Sequence, residues 1–252
     1  FDDKHYDLQF LYYLFANLNL PRLAKGVKPG INRNDVYALT VKIPPLEEQQ
    51  RIIAKLDEAF AAIDQAKINT EKNLQNVKEL FELYLESTFE KAHEGWITCF
   101  LGDHIKFIDY RGKTPRKTSK GIRLITAKNV RNGFIKDEPQ EFIAAEEYTT
   151  WMTRGIPKKG DVLFTTEAPL ANVAQLDTDE KVAFAQRIII LQPQLDMIDQ
   201  RFLMYLLLSK PIRTKILQNG TGATVQGIKA SLLRKISIYF PKGINNQKKI
   251  VD

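Results

Sequence analysis

The feature that most restricts the fold of this chain is its central stretch, because residues 46–94 contain neither proline nor glycine. Pro45 is compatible with the first turn of a helix, and Gly95 supplies a stop. Apolar side chains recur at spacings of three and four, at Ile53, Leu56, Phe60, Ile63, Leu74, Val77, Phe81 and Tyr84. This heptad stripe predicts one helix of about 70 Å that pairs with another helix, since such a length is rare inside a compact core.

The charged residues divide into one acidic and two basic regions. Residues 46–94 hold eleven acidic side chains against six basic ones. Residues 106–136 hold ten basic side chains opposed only by Asp109, and residues 200–240 hold seven and no acid. The basic regions favour a polyanionic partner such as DNA, although a solvated basic surface would give the same pattern. The acidic helix is a poor DNA ligand and indicates a spacer and docking surface.

The two ends of the chain carry one sequence pattern twice. The aligned pairs are 7–14 with 199–206, 30–31 with 227–228, 41–44 with 238–241, Gln50 with Gln247, and Ile53 with Ile250. Each copy predicts a helix, a glycine-containing loop, a short strand that ends in proline, and the start of another helix. We therefore expect a tandem duplication, and an intact protein that is longer by about one globular unit and one helix.

Between Trp96 and Pro241 the pattern changes to short strands and turns, followed by helices. The predicted strands are 106–108, 122–126, 161–165, 172–176, 181–184 and 188–191, and the predicted helices are 198–209 and 211–218. The expected fold is therefore α+β, with a globular domain joined to a long coiled-coil helix and the ends of a tandem repeat at both termini.

Basic and small polar side chains in the loops of this domain are the candidates for contact with DNA. Arginine and lysine in the loop 110–120 can contact phosphates, and Arg111 and Arg116 are the candidates for bidentate bonds to guanine. Amide side chains in 128–132 suit adenine, and 219–227 is a further flexible loop. The candidates are Arg111, Lys113, Thr114, Arg116, Lys117, Lys120, Lys128, Asn129, Arg131, Asn132, Thr221 and Thr224, with Thr165, Thr166, Glu167 and Asn172 as additional loop residues. Each of these residues taken alone is more simply a solvated surface side chain.

Three segments resemble the specificity subunits of type I restriction-modification systems. Residues 43–53, which read IPPLEEQQRII, are similar to that family's junction between a recognition domain and its central helix. Residues 160–165 with 172–174, and residues 220–228, resemble segments inside and at the end of such recognition domains. The second junction, at 241–247, departs from the pattern, which leaves the start of the second helix open between nearby residues.

The resemblance implies a division of the chain and a set of partners. The implied parts are 1–44, the end of a first target recognition domain; 45–94, the conserved helix; 95–241, a second recognition domain; and 242–252, the start of a second helix. Two such domains, held apart by an antiparallel helix pair, would read the two halves of an interrupted site in double-stranded DNA. Methyltransferase subunits would dock on the helices, and a motor-nuclease subunit would join them. A chain cut before the second helix is expected to self-associate through the stripe.

Other functions fit the sequence less well. A methyltransferase needs a glycine-rich cofactor loop and an Asn-Pro-Pro or Asp-Pro-Pro motif, and neither occurs. Asp161 with residues 179–181 faintly matches a metal-dependent nuclease, but 177–181 is more simply a turn. Scattered histidines predict no metal site, no cofactor is expected, and no segment is apolar enough for a membrane. A single cysteine, Cys99, favours a reducing cytoplasm. The recognition half of a single-chain restriction-modification enzyme and a coiled-coil adaptor that does not bind DNA stay open as alternatives.

Overall fold

The computed structural model describes residues 2–26, 29–90, 93–110, 114–222 and 226–252, and the chain divides into two compact units, residues 1–77 and 78–252. The first unit contains helix α1 (Leu8–Asn17), a 3-10 helix (Leu20–Leu23) and helix α2 (Arg33–Tyr37). Helix α3 (Leu46–Phe89) then runs without interruption from the first unit into the second. The long helix is therefore confirmed, although it ends a few residues before the predicted position.

The described residues of the second unit form three sheets and several short helices. Its strands are β1 (Trp96–Phe100), β2 (Ile105–Asp109), β3 (Ile122–Ile125), β4 (Phe142–Ile143), β5 (Val162–Thr165), β6 (Val173–Gln175), β7 (Val182–Phe184), β8 (Ile188–Pro193) and β9 (Ser237–Pro241). Its helices are a 3-10 helix (Ala145–Glu147), α4 (Tyr148–Trp151), α5 (Gln200–Leu208), α6 (Lys210–Gln218), α7 (Ala230–Leu233) and α8 (Ile244–Val251). The sheet orders are β2-β8-β5-β6, all antiparallel; β4-β3-β7, with β3 parallel to β7; and the pair β1-β9.

The central strand β8 is buried on both faces, which explains its continuous apolar sequence. Ile189 and Leu191 belong to the apolar cluster that includes helix α5, whereas Ile188 and Ile190 belong to the cluster that includes β3 and β7. Successive side chains of a strand point to opposite faces, so the four-stranded sheet lies between these two cores. The predicted α+β class is confirmed.

The repeat between the two ends of the chain is present in the structure. Asp7 and Asp199 both cap the helix that follows them, with side chains that accept hydrogen bonds from two backbone amides. Gly30 forms an antiparallel bridge with Lys25, and Gly227 forms one with Thr221. A short helix follows each bridge, α2 in the first copy and α7 in the second. The two copies therefore share a succession of local structures as well as a sequence pattern.

A buried glutamine makes the same three hydrogen bonds in each copy. The Gln49 Oε1 atom accepts from the Asp7 amide at 2.8 Å, and its Nε2 atom donates to the carbonyls of His5 (2.9 Å) and Pro44 (2.8 Å). The Gln247 Oε1 atom accepts from Asp199 at 2.8 Å, and its Nε2 atom donates to the carbonyls of residues 197 and 241. Both glutamines are fully buried. Each side chain fastens the start of a junction helix to the preceding helix and to the segment between them.

Two details of the predicted repeat are wrong. The partner of Gln247 is Gln49 and not Gln50, which is exposed, because the second junction has one more residue between its proline and its glutamine. The predicted strand at 41–44 is not formed and pairs with no strand among the described residues, whereas its counterpart β9 pairs with β1. A segment without a partner lacks the ladder of hydrogen bonds that defines a sheet.

The apolar stripe of α3 is largely uncovered in both units. Of the eight predicted positions, only Ile53 is buried and Leu56 is half-buried, and the exposed ones are Phe60, Ile63, Leu74, Val77, Phe81 and Tyr84. In the first unit, the ring of Phe60 contacts that of Tyr13, with 5.7 Å between centroids. In the second unit, the Tyr84 hydroxyl donates to the Ile250 carbonyl at 3.4 Å, beside a cleft of about 290 Å³. Helix α8, which begins close to the predicted position, therefore contacts α3 near its end.

Candidate nucleic-acid interface

The topology of the second unit brings several loops to one end of its four-stranded sheet. The pairs Asp109–Ile189, Thr165–Ile188 and Phe164–Val173 place the end of β2, the start of β8, the end of β5 and the start of β6 together. Strands β3 and β7 are parallel, and β7 leads through 185–187 into β8, so the ends of both also lie here. We call this region the loop end; it comprises 109–110, 126–136, 165–172, 185–188, 219–222 and 226–228.

The turn 126–136 of the loop end is braced from within by the side chain of Asn129. This side chain is buried; its Oδ1 atom accepts from the Thr126 amide (3.0 Å) and hydroxyl (2.9 Å). Its Nδ2 atom donates to the carbonyls of Lys136 (3.1 Å) and Pro139 (3.0 Å). Asn129 was predicted to suit an adenine edge, but its polar atoms are occupied inside the protein, so that assignment is wrong. The buried Asn129 supports the exposed Lys128 beside it.

Asn132 and Arg213 join this turn to the loop between β5 and β6. The Arg213 guanidinium donates to the Asn132 Oδ1 atom at 3.2 Å and to the Ala171 carbonyl at 3.1 Å. Asn132 is exposed, and the half-buried Arg131 donates to the carbonyl of Val130. Arg213 escaped the sequence analysis because it lies in helix α6, far along the chain from the loops that it joins. Only its place in a basic region pointed to it.

The loop between β5 and β6 is built from buried polar side chains. The Thr165 hydroxyl donates to the Pro169 carbonyl at 2.6 Å and accepts from the Asn172 amide at 2.9 Å. The Asn172 side chain donates to the carbonyl of Val130 at 2.9 Å. Thr165, Thr166 and Asn172 are buried and support the loop. The prediction that these three side chains could reach DNA is therefore wrong.

Glu167 and Arg187 lie beside each other on the exposed part of the loop end. The Glu167 Oε1 atom is 2.8 Å from the Arg187 Nε atom, and both side chains are close to half exposed. Glu167 also forms a backbone bridge with Gly227, which pairs in turn with the exposed Thr221. Through Gly227 and Thr221, the predicted loop 219–227 is therefore joined to the Glu167–Arg187 pair. Arg187 was not predicted, because it stands alone between two apolar segments.

The described part of the loop 110–120 lies elsewhere, along the start of β3. Pro115 is buried, Thr118 bridges to Phe142 of β4, and Lys117 forms an ion pair with Glu141 at 2.8 Å. The structure therefore does not bring this basic loop next to the 128–132 cluster, because β3 lies between them. Thr114, Arg116 and Lys120 are exposed, whereas Arg111, Lys113 and Thr224 lie outside the described residues.

The buried Tyr110 anchors the chain where this loop leaves the sheet. Its hydroxyl donates to the Gly155 carbonyl at 2.8 Å and accepts from the Arg154 amide at 3.0 Å. Burial raises the pKa of Tyr110 above its ordinary value, although hydrogen bonds from the backbone amides of Arg154 and Gly155 act in the opposite direction. The phenol therefore stays neutral and acts as a fixed hydrogen-bonding post.

Asp161 has a structural role that accounts for its burial. Its Oδ2 atom accepts from the Lys158 amide at 2.7 Å and from Gln192 Nε2 at 2.6 Å, and burial raises its pKa. Asp179, the other half of the nuclease interpretation, pairs with Lys159. Within the described residues, no group of three histidine, cysteine or acidic side chains could hold a metal ion. No described helix is both long and apolar enough to cross a membrane.

The sequence and fold of this chain place it in a known family of proteins. The family model for the type I restriction modification DNA specificity domain matches residues 1–76 and 93–252. The chain therefore belongs to the family of type I restriction-modification DNA specificity domains. It is 24% identical over 259 residues to the type I restriction enzyme MjaVIII specificity subunit of Methanocaldococcus jannaschii, an alignment that covers 91% of this chain and 59% of that subunit.

Solved structures share the fold. The HsdS subunit of Thermoanaerobacter tengcongensis matches 98% of this chain and 61% of its own length, with 20% identity and a TM-score of 0.57. A chain from a structure on complex assembly and conformational transition of the type I R-M system matches 96% of this chain and 58% of its own length, with 21% identity and a TM-score of 0.63. This chain thus spans about three-fifths of the length of these relatives.

Proposed function

We propose that this chain is part of a subunit that reads DNA sequence for the modification and restriction enzymes of a type I system, and that it performs no chemistry itself. Family membership carries the proposal. The loop end supports it, because this end of the second unit collects exposed side chains that can donate to bases and phosphates from three separate segments, which contribute Lys128, Arg187 and Thr221 among others. Under this proposal, 95–241 is a target recognition domain and 1–44 is the end of another.

The long helix has the properties expected of a docking element. Its surface is acidic, with eleven acidic side chains against six basic ones in residues 46–94, so it would repel DNA and attract a basic protein. Its exposed apolar stripe requires a helical partner, which in the intact subunit would be the helix that begins with α8. We propose that methyltransferase subunits bind this helix pair together with the recognition domain, and that the motor-nuclease subunit joins that complex.

Binding of duplex DNA at several salt concentrations tests the proposal. If about five basic side chains neutralise phosphates, the slope of log affinity against log salt is about −4.5. Arg116, Lys120 and Lys128 are exposed, and their side chains have no hydrogen-bond or ion-pair partner among the described residues. Replacing all three with alanine should flatten the slope by about 2.7 if each contacts a phosphate. Lys117 is a poorer choice, because its loss strands the carboxylate of Glu141.

A matched control removes the same charge from the acidic helix. Alanine at Lys55, Lys67 and Lys72, all exposed on α3, should leave the slope unchanged. A chain with no measurable affinity for duplex DNA would favour the coiled-coil adaptor. Methylation sequencing of a host that carries the complete system would then give the bipartite site. Cleavage or methylation by this chain alone would instead favour the single-chain enzyme.

A further inference from the structure

We propose that Arg187 reads a guanine in the target half-site and that Glu167 holds its guanidinium in the reading position. This inference rests on the proposed function and deepens it, since it names a base-reading residue and its base. The observations that carry it are the position of Arg187, its backbone conformation and the arrangement of its charged partner.

Arg187 stands where the three-stranded sheet meets the four-stranded sheet. It lies one residue before β8, the central strand of the four-stranded sheet, and shortly after β7 of the three-stranded sheet. Its carbonyl accepts from the Thr166 amide at 2.9 Å, so its backbone is tied to the neighbouring loop. A residue with both neighbouring strands buried cannot shift by more than the core allows. The side chain is therefore presented from a rigid base at the loop end.

The backbone of Arg187 has a conformation that a non-glycine residue rarely adopts. Its φ is +77°, in the left-handed region, which places the side chain of an L-residue under strain. Ala168 and Ala171, in the adjacent loop, also have positive φ values, of +48° and +65°. Three such residues gathered at the loop end, of which Ala168 and Arg187 are exposed, indicate a functional site, since packing alone would be satisfied by glycine.

Glu167 forms an ion pair along one edge of the guanidinium, and the opposite edge has no partner among the described residues. The carboxylate lies 2.8 Å from Nε, while the two terminal nitrogens have no hydrogen-bond partner among the described residues. Glu167 is itself confined by the backbone of Gly227, with which it forms a bridge. The two residues approach so closely that a Cβ atom added at Gly227 would lie only 3.3 Å from the Glu167 Cβ atom. The pair is thus a preorganised fork, with its two terminal donors available to a ligand.

This arrangement fits a guanine better than a phosphate. Guanine presents N7 and O6 side by side in the major groove, and two parallel N–H groups match them. The carboxylate cancels the charge that would attract a phosphate at long range, so the pair adds little to general affinity. The contribution of Arg187 to binding is then the geometric match between its two N–H groups and the guanine edge. Lysine cannot reproduce this match, because its ammonium group has no planar fork.

Methylation sequencing of DNA from a host carrying the complete system tests the assignment. Wild type should methylate one bipartite motif. Arg187→Lys should relax one guanine of that motif by about 5- to 150-fold, the range to which 1–3 kcal/mol of discrimination converts, and leave the other positions intact. Glu167→Gln should relax the same position less, because the fork survives but is no longer held. Arg234→Lys is the control and should leave the motif unchanged. Arg234 lies over the ring of Phe107, and its carbonyl accepts a hydrogen bond from the Gly102 amide. Gly102 precedes β2, so Arg234 lies at the end of the sheet opposite the loop end.

The outcomes separate this inference from the proposed function. An unchanged motif in Arg187→Lys overturns the inference and leaves the proposed function standing, as does an equal fall of methylation at all sites without relaxation. A wild-type system without any defined motif overturns both. Arg187→Gly guards against a folding artefact, because glycine suits the left-handed backbone; it must relax the same guanine as Arg187→Lys for the assignment to hold.

Discussion

Replacing Gln247 with leucine tests whether the buried glutamine holds the junction together. Leucine is similar in size but leaves the Asp199 amide without an acceptor and removes the donor to the carbonyls of residues 197 and 241, in a fully buried site. A stranded buried amide costs about 1–3 kcal/mol, and carbonyls, with two lone pairs, cost less. We expect a total of about 2–4 kcal/mol, or roughly 4–16 °C in the melting temperature of a unit of this size.

Hydrogen exchange read by mass spectrometry follows the two units separately. Gln247→Leu should lower the protection of the second unit only, and Gln49→Leu that of the first only. Gln50→Leu is the matched control, because it makes the same change at an exposed neighbour and should have no effect. The reasoning is refuted if Gln247→Leu has the same melting temperature as wild type. It is also refuted if Gln50→Leu lowers the stability of the first unit as much as Gln49→Leu does.

Three further predictions follow from burial and exposure. Burial raises the pKa of Cys99 from an ordinary value of 9.0 to about 11, so at pH 8 its thiolate fraction, and with it the rate of alkylation by iodoacetamide, should be roughly a hundredfold lower than for a free cysteine; rapid labelling would contradict this. Because burial raises the pKa of Asp161, the folded state binds the carboxyl proton more tightly than the unfolded state does, and the wild-type protein loses stability as this proton leaves at rising pH. The unfolding free energy of Asp161→Asn, measured relative to that of wild type, should therefore increase from pH 3 to pH 7. A difference that shrinks over this range would refute the prediction. The chain should self-associate through the exposed stripe, and glutamate at Leu74 and Val77 should reduce its mass in light scattering, whereas a wild-type monomer at high concentration would exclude the stripe as an interface.

The elements with strong local signals could be predicted from the sequence. The absence of proline and glycine in 46–94 predicts α3, and short β-branched segments bounded by turns predict β2, β3, β5, β6, β7 and β8. Strand β1 was missed because Trp96–Phe100 has no clear alternation and becomes a strand only by pairing with β9. The segment 41–44 shows the converse, since its strand-like sequence finds no partner and forms no strand.

The candidate site was predicted in part, because a sequence shows which side chains are polar but not where they point. The sequence alone determined the acidic helix, the basic loops, the repeat and the family, since each is a property of residue order. Tertiary structure decided that Asn129 and Asn172 are buried supports, that the loop 114–120 runs along the start of β3, and that Arg187 meets Glu167 at the loop end. The physical reason is that contact between loops depends on strand pairing between residues far apart in the chain, which local patterns do not encode.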